Sequence, residues 1–210
     1  MRSAKQLLVV LELTVVSALP LAAQWDAPSF FAPRPGEDIG LYGVKPEGLG
    51  WGLAAIWRQE GNLNLGVRGG FADGDLFHIG AEFYGPLNQL AGGSGLLIDW
   101  ILGLGASFDG FTHLRVPAGV SVGLDLGSQG ALQVKPYAHP RVALDVFVFN
   151  VGDEEETDTE VNVDIDLGAD AALGQSFVLR AGFTLSLTNE GRSTFGAGVA
   201  YRMPRRVAVR

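Results

Sequence analysis

Apolar and polar residues alternate along most of this chain, and the alternation hardly pauses between residues 48 and 203. A period of two marks β-strands with two unlike faces. One run places Leu49, Trp51, Leu53, Ala55 and Trp57 on a single face, and another places Leu96, Ile98, Trp100, Leu102, Leu104, Ala106 and Phe108 there. Runs of the same kind occupy 63–71, 77–83, 114–126, 132–148, 161–173, 177–187 and 195–201. None of the nine runs carries a charge on its apolar face. Glu60-Gly61-Asn62, Asp73-Gly74-Asp75, Asp109-Gly110, Ser128-Gln129-Gly130, Gly174-Gln175 and Asn189-Glu190-Gly191 separate them. These residue types suit tight hairpins, and short turns make neighbouring strands antiparallel. Two connections are longer: 87–94, and the acidic stretch 150–160.

The opposite face carries glycine, small polar residues and charges. Its cations are Arg58, Arg68, Arg115, Lys135, Arg141, Arg180 and Arg202; its anions are Glu82, Asp99, Asp125, Asp145, Asp164, Asp166 and Asp170. The two sets balance, seven against seven. A soluble barrel turns its apolar face inward, whereas a membrane barrel turns it out. Three features favour the membrane arrangement. The polar face lacks the lysine and glutamate of a wet surface. The apolar face is uninterrupted over strands long enough to cross a bilayer at a tilt. Aromatic residues (Trp57, Phe71, Phe77, Phe108, Phe177, Tyr201) fall near strand ends on that face, as in an interfacial girdle.

Unpaired backbone groups cost several kcal/mol each in hydrocarbon, so a sheet in lipid must close. An even strand number requires a tenth strand, and the weak segment 39–45 supplies it. The expected fold is therefore all-β: a closed antiparallel up-and-down transmembrane β-barrel of ten strands, with eight as the alternative. Pro136 and Pro140 remove ladder donors and so belong at a bulge or a locally open pairing, and a bulge or bend is expected near 136–140.

Composition narrows the reading. The 210 residues include 30 glycines, no cysteine and only three lysines (Lys5, Lys45, Lys135), and the formal charge is −8. Disulfides and thiolate metal sites are excluded, and nucleic acid is a poor partner for so acidic a chain. Arg2 and Lys5, the apolar stretch 7–16 and Leu21-Ala22-Ala23 before Gln24 read as a secretory signal, although Glu12 interrupts the apolar part. The expected organisation is a signal peptide at 1–23, a periplasmic segment at 24–38, the barrel at 39–203 and a basic tail at 204–210. With the chain start in the periplasm, the 150–160 loop lies outside the cell.

A cleavable signal, gapless alternation, an aromatic belt and a glycine-rich polar lumen together resemble the small outer-membrane β-barrel families, such as the OmpA transmembrane domain, OmpX and OmpW groups. The likeness spans 39–203 and is one of architecture, with no family motif matched. It implies an outer-membrane location and assembly by the barrel-assembly machinery. Such barrels usually end in an aromatic residue, whereas Tyr201 here precedes a basic tail.

Candidate chemistry is sparse. His78 and His139 fall on the lumen face and His113 near a turn, so a hydrolase site with Ser107 or Ser121 can be drawn. No Gly-x-Ser-x-Gly context supports it, and the expectation is a non-enzyme without cofactor or metal. The fourteen lumen charges are expected to form a network that plugs the barrel and fixes its register. The expected role is structural or surface-interacting, with lipid as the main partner and an extracellular ligand at 150–160. A narrow channel for small polar solutes or ions, and a soluble secreted or periplasmic binding barrel, are the alternatives.

Overall fold

The computed structural model describes residues 28–204 apart from 62, 73–74, 88–94, 127, 130–131, 152–153 and 189–192. The signal segment 1–23 and most of the basic tail lie outside the described residues.

Ten strands form the wall: β1 (Asp38–Pro46), β2 (Gly52–Gln59), β3 (Asn64–Ala72), β4 (Leu76–Pro86), β5 (Leu96–Phe108), β6 (Thr112–Leu124), β8 (Leu132–Val151), β9 (Glu154–Leu173), β10 (Phe177–Ser186) and β11 (Thr194–Arg202). A two-residue strand, β7 (Ser128–Gln129), pairs only with the start of β8. Each wall strand pairs antiparallel with its chain neighbours, β1 pairs with β11, and the β6–β8 pairing completes the ring. The weak segment before Pro46 is the tenth strand, as closure required. Asp38 and Arg202 mark one mouth, the terminal end, and the β8–β9 turn marks the other, the hairpin end.

The alternation is inside out. Leu104 is 58% exposed and Val161 62%, while Arg58, Asp145 and Asp166 are fully buried. Aromatic rows ring both ends of the outer face. Phe71 pairs with Phe77 and Phe77 with Phe108 at one level; Trp57, Ile39, Tyr201 and Phe177 follow one another across β2, β1, β11 and β10 at the other. The inner face also has an apolar patch, which period-two reading does not distinguish from the polar remainder. Val44, Ala54, Ile56, Ala72 and Leu76 pack there with Tyr42 and Phe30.

Three expectations need correction. No bulge forms near Pro136 and Pro140. The β8–β9 ladder is continuous, and β6 keeps one register on β8 from Thr112↔Val148 to Gly123↔Tyr137. The ladder instead opens at Val120 and Ser121 opposite Pro140 and His139, where proline has no donor to give. Second, the described residues of 150–160 are strand, not loop. Both strands run 20 residues and stay paired out to Val151↔Glu154, beyond the last β8 residue that β6 reaches, Val148. Glu155, Glu156 and Asp158 remain exposed on this overhang, so their charges are solvated and do not oppose pairing. Third, the described part of the supposed periplasmic segment 24–38 does not lie outside the barrel. Ser29, Phe30, Phe31 and Ala32 are buried inside it, and Asp38 opens β1.

Candidate functional site in the barrel lumen

Because every second residue of each strand points inward, the wall presents its charges to a single shared space. Arg180 on β10 donates to Asp170 (2.9 Å), Asp38 (2.6 Å) and the Tyr42 hydroxyl (3.0 Å). Arg115 pairs with Asp164 and lies 3.4 Å from Asp145. Asp145 also meets His113 at 2.7 Å and accepts from Asn162 at 2.8 Å. Arg141 reaches Asp166 at 3.2 Å, and Asp166 accepts from Thr184 at 2.7 Å. On β2, Arg58 donates to Glu82 at 2.8 Å, and Arg68 pairs with the other Glu82 oxygen.

Arg141 also lies 3.9 Å from Asp164, so these ion pairs fall into three groups, and the N-terminal segment ties two of them together. The Ser29 carbonyl accepts from Arg58 (2.8 Å) and Arg68 (3.3 Å), and the Phe30 carbonyl accepts from Arg58 (3.1 Å). The Ser29 N–H donates to Asp166 at 3.0 Å, and its hydroxyl shares a hydrogen bond with His139 at 2.9 Å. Ser121 donates to the Phe31 carbonyl at 2.5 Å, and the Arg34 N–H donates to Asp99 at 2.6 Å. Phe30 stacks on Tyr42 with centroids 4.3 Å apart; Phe31 meets Tyr84 edge-on at 4.7 Å and lies under the Arg58 guanidinium. Residues 28–34 therefore stand across the barrel axis as a plug, anchored to β1, β2, β3, β4, β5, β6, β8 and β9. The two remaining strands make room for it with glycine. A Cβ on Gly196 would sit 2.5 Å from the Phe30 ring, and one on Gly182 would sit 3.2 Å from Pro28. The plug backbone is bent hard: Phe30 and Arg34 both have positive φ, 49° and 54°. A bulky aromatic rarely adopts that region unless its surroundings fix it.

Of the fourteen charges expected in the network, Arg58, Arg68, Glu82, Arg115, Arg141, Asp145, Asp164, Asp166, Asp170 and Arg180 are joined by interior ion pairs. Asp99 holds plug backbone instead. Asp125 and Lys135 face each other at 3.8 Å near the terminal mouth, away from that interior set. Arg202 has no ion-pair partner among the described residues. Sequence reasoning missed Asp38, Tyr42 and the plug. Pro28-Ser29-Phe30-Phe31-Ala32-Pro33 held the signal, being too apolar for a solvated tether. His78 and Ser107 do form a partly buried pair at 3.0 Å, lining an interior cavity of about 50 Å³ with His113, Arg115 and His139. A larger cup of about 810 Å³ opens at the terminal end, floored by Arg34, Pro35, Gly36 and Glu37. No cluster of three or more metal-ligating side chains occurs among the described residues.

Fold and lining together define a class: a closed ten-stranded antiparallel β-barrel, apolar toward its surroundings, charged within, and stoppered by its own N-terminal segment. Solved structures similar to it are small outer-membrane β-barrels. The N-terminal β-barrel domain of Pseudomonas aeruginosa OprF aligns with 79% of this chain and 97% of its own, at 13% identity and a TM-score of 0.41. The KdgM porin, solved with disordered oligogalacturonate, aligns over 80% and 99% at 8% identity and 0.46. Neisserial surface protein A aligns over 85% and 100% at 15% identity and 0.37. No family model matches the sequence, and no curated protein does.

Proposed function

We propose that this chain is an integral outer-membrane protein whose barrel is a sealed anchor and whose long β8–β9 hairpin is its outward working element. The supporting observation is the filled lumen, with residues 28–34 held by side chains around the wall and the charges beside them paired. A barrel built to pass solutes needs a free axis, and here the axis is occupied by peptide. In this reading residues 1–23 direct export, the barrel-assembly machinery inserts the sheet, and lipid covers the outer face. The overhang carrying Glu155, Glu156 and Asp158 presents acidic side chains to an extracellular ligand. The barrel performs no catalysis.

The test combines location with conductance. Expressed with its own leader in a Gram-negative host, the protein is expected in the outer-membrane fraction, and planar bilayers holding it are expected to show no discrete current steps. Recovery in the soluble periplasm, or stable steps from the wild type, contradicts this reading. A narrow channel is the second reading, favoured by the open cup at the terminal end.

A further inference from the structure

Resting on the sealed-barrel reading, we infer that residues 28–34 are a tethered peptide ligand, that the lumen wall is a peptide-binding site, and that withdrawing the ligand opens a pore which a peptide of the same chemistry closes again. Two kinds of contact hold the segment: polar wall groups bind its main chain, and its two aromatic rings pack into apolar clusters of the lumen. The segment adds no strand to the sheet. Its main chain is read by wall side chains: carbonyls of Ser29, Phe30 and Phe31 accept from Arg58, Arg68 and Ser121, and N–H groups of Ser29 and Arg34 donate to Asp166 and Asp99. Charged donors and acceptors aimed at backbone make the strongest hydrogen bonds available, and they do not depend on ligand side chains. Specificity falls to two adjacent aromatic seats, Tyr42 for Phe30, and Tyr84 with Arg58 for Phe31. The ligand class is thus a short bent peptide with two consecutive aromatic residues flanked by small residues and proline.

Attachment is local. Gly36, with φ of 81°, turns the chain from the plug into β1, and the Glu37 carbonyl accepts from the Met203 N–H at 2.9 Å. A tether this short keeps the ligand at an effective concentration in the millimolar range, so free peptide does not compete with it in the intact protein. Withdrawing the segment takes matter from the centre of the barrel while the interior ion pairs stay on the wall. The space vacated joins the cup at the terminal end.

The experiment is single-channel recording with three proteins in planar bilayers: wild type, a variant lacking residues 28–34, and the full-length Phe30→Ser/Phe31→Ser variant, which keeps every wall residue should the deletion fail to assemble. The probe is acetyl-Pro-Ser-Phe-Phe-Ala-Pro-amide, with a control peptide in which serine replaces both phenylalanines. Expected are a silent wild type, discrete steps from the altered proteins, and reversible, dose-dependent block by the probe but not by the control. Silent variants overturn the inference while leaving the sealed-barrel reading intact, since the ion pairs alone then close the lumen. Steps that the probe leaves unblocked, or that the control blocks equally, also overturn it. Steps from the wild type overturn both.

Discussion

Arg58 joins the wall to the plug. Its guanidinium is fully buried and divides its donors between Glu82 and two plug carbonyls. Arg58→Met keeps much of the volume but takes the Phe30 carbonyl's donor away and leaves Glu82 and the Ser29 carbonyl to Arg68 alone. Breaking a buried pair on one side costs about 3–5 kcal/mol, so urea unfolding from lipid vesicles is expected to show a loss of that size; an unchanged midpoint refutes the clamp. Gly196 gives a sharper test. Gly196→Val drives a methyl-bearing carbon into the Phe30 ring and is expected to lower the unfolding midpoint by several degrees. Gly43→Val, where the nearest atoms to a new Cβ are 3.9 Å away, is expected to leave it unchanged. At this scale the sequence was legible where strand periodicity applied. Arg58, Glu82 and Arg180 declare their face by position alone. Phe30 does not, because the plug has no period and its neighbours come from strands far away in the chain; Asp38 does not, because β1 begins one residue before the weak segment 39–45.

Among the elements, the β8–β9 hairpin departs furthest from a plain barrel. Composition reads its acidic stretch as loop, yet the ladder extends through it because residues 145–151 offer a matching edge from Asp145↔Glu160 to Val151↔Glu154. Partner strands, not local composition, decide such segments. Glu155, Glu156 and Asp158 on the overhang are exposed, whereas Phe147 lower down stacks on His113 at 4.5 Å. Replacing residues 149–156 with a two-residue turn is therefore expected to change barrel stability by less than about 0.5 kcal/mol, the scale of surface changes. If an extracellular ligand acts through the acidic tip, the same variant loses that binding in a pull-down while its unfolding curve stays in place. A shortened protein that fails to insert shows instead that the overhang belongs to the folding core.

For the whole molecule, strand number, antiparallel order and the outward face all followed from alternation and from the need to close a sheet in hydrocarbon. How the lumen is filled did not follow, because balanced charges are compatible with either a solvated pore or a packed interior. The structure adds a peptide to the charges, and in the reading proposed above the two seal the axis jointly. Both the sealed anchor and the narrow channel require lipid to touch the apolar face. Single cysteines placed one at a time from Leu102 to Ala106 on β5, in a chain with no native cysteine, allow nitroxide labelling and measurement of collision rates with oxygen and with a water-soluble nickel chelate in vesicles. The account predicts a period of two, with oxygen access high and nickel access low at residues 102, 104 and 106, and oxygen access falling at 103 and 105. Nickel access at 102 and 104 equal to that of a water-facing site, or no alternation along the strand, contradicts it.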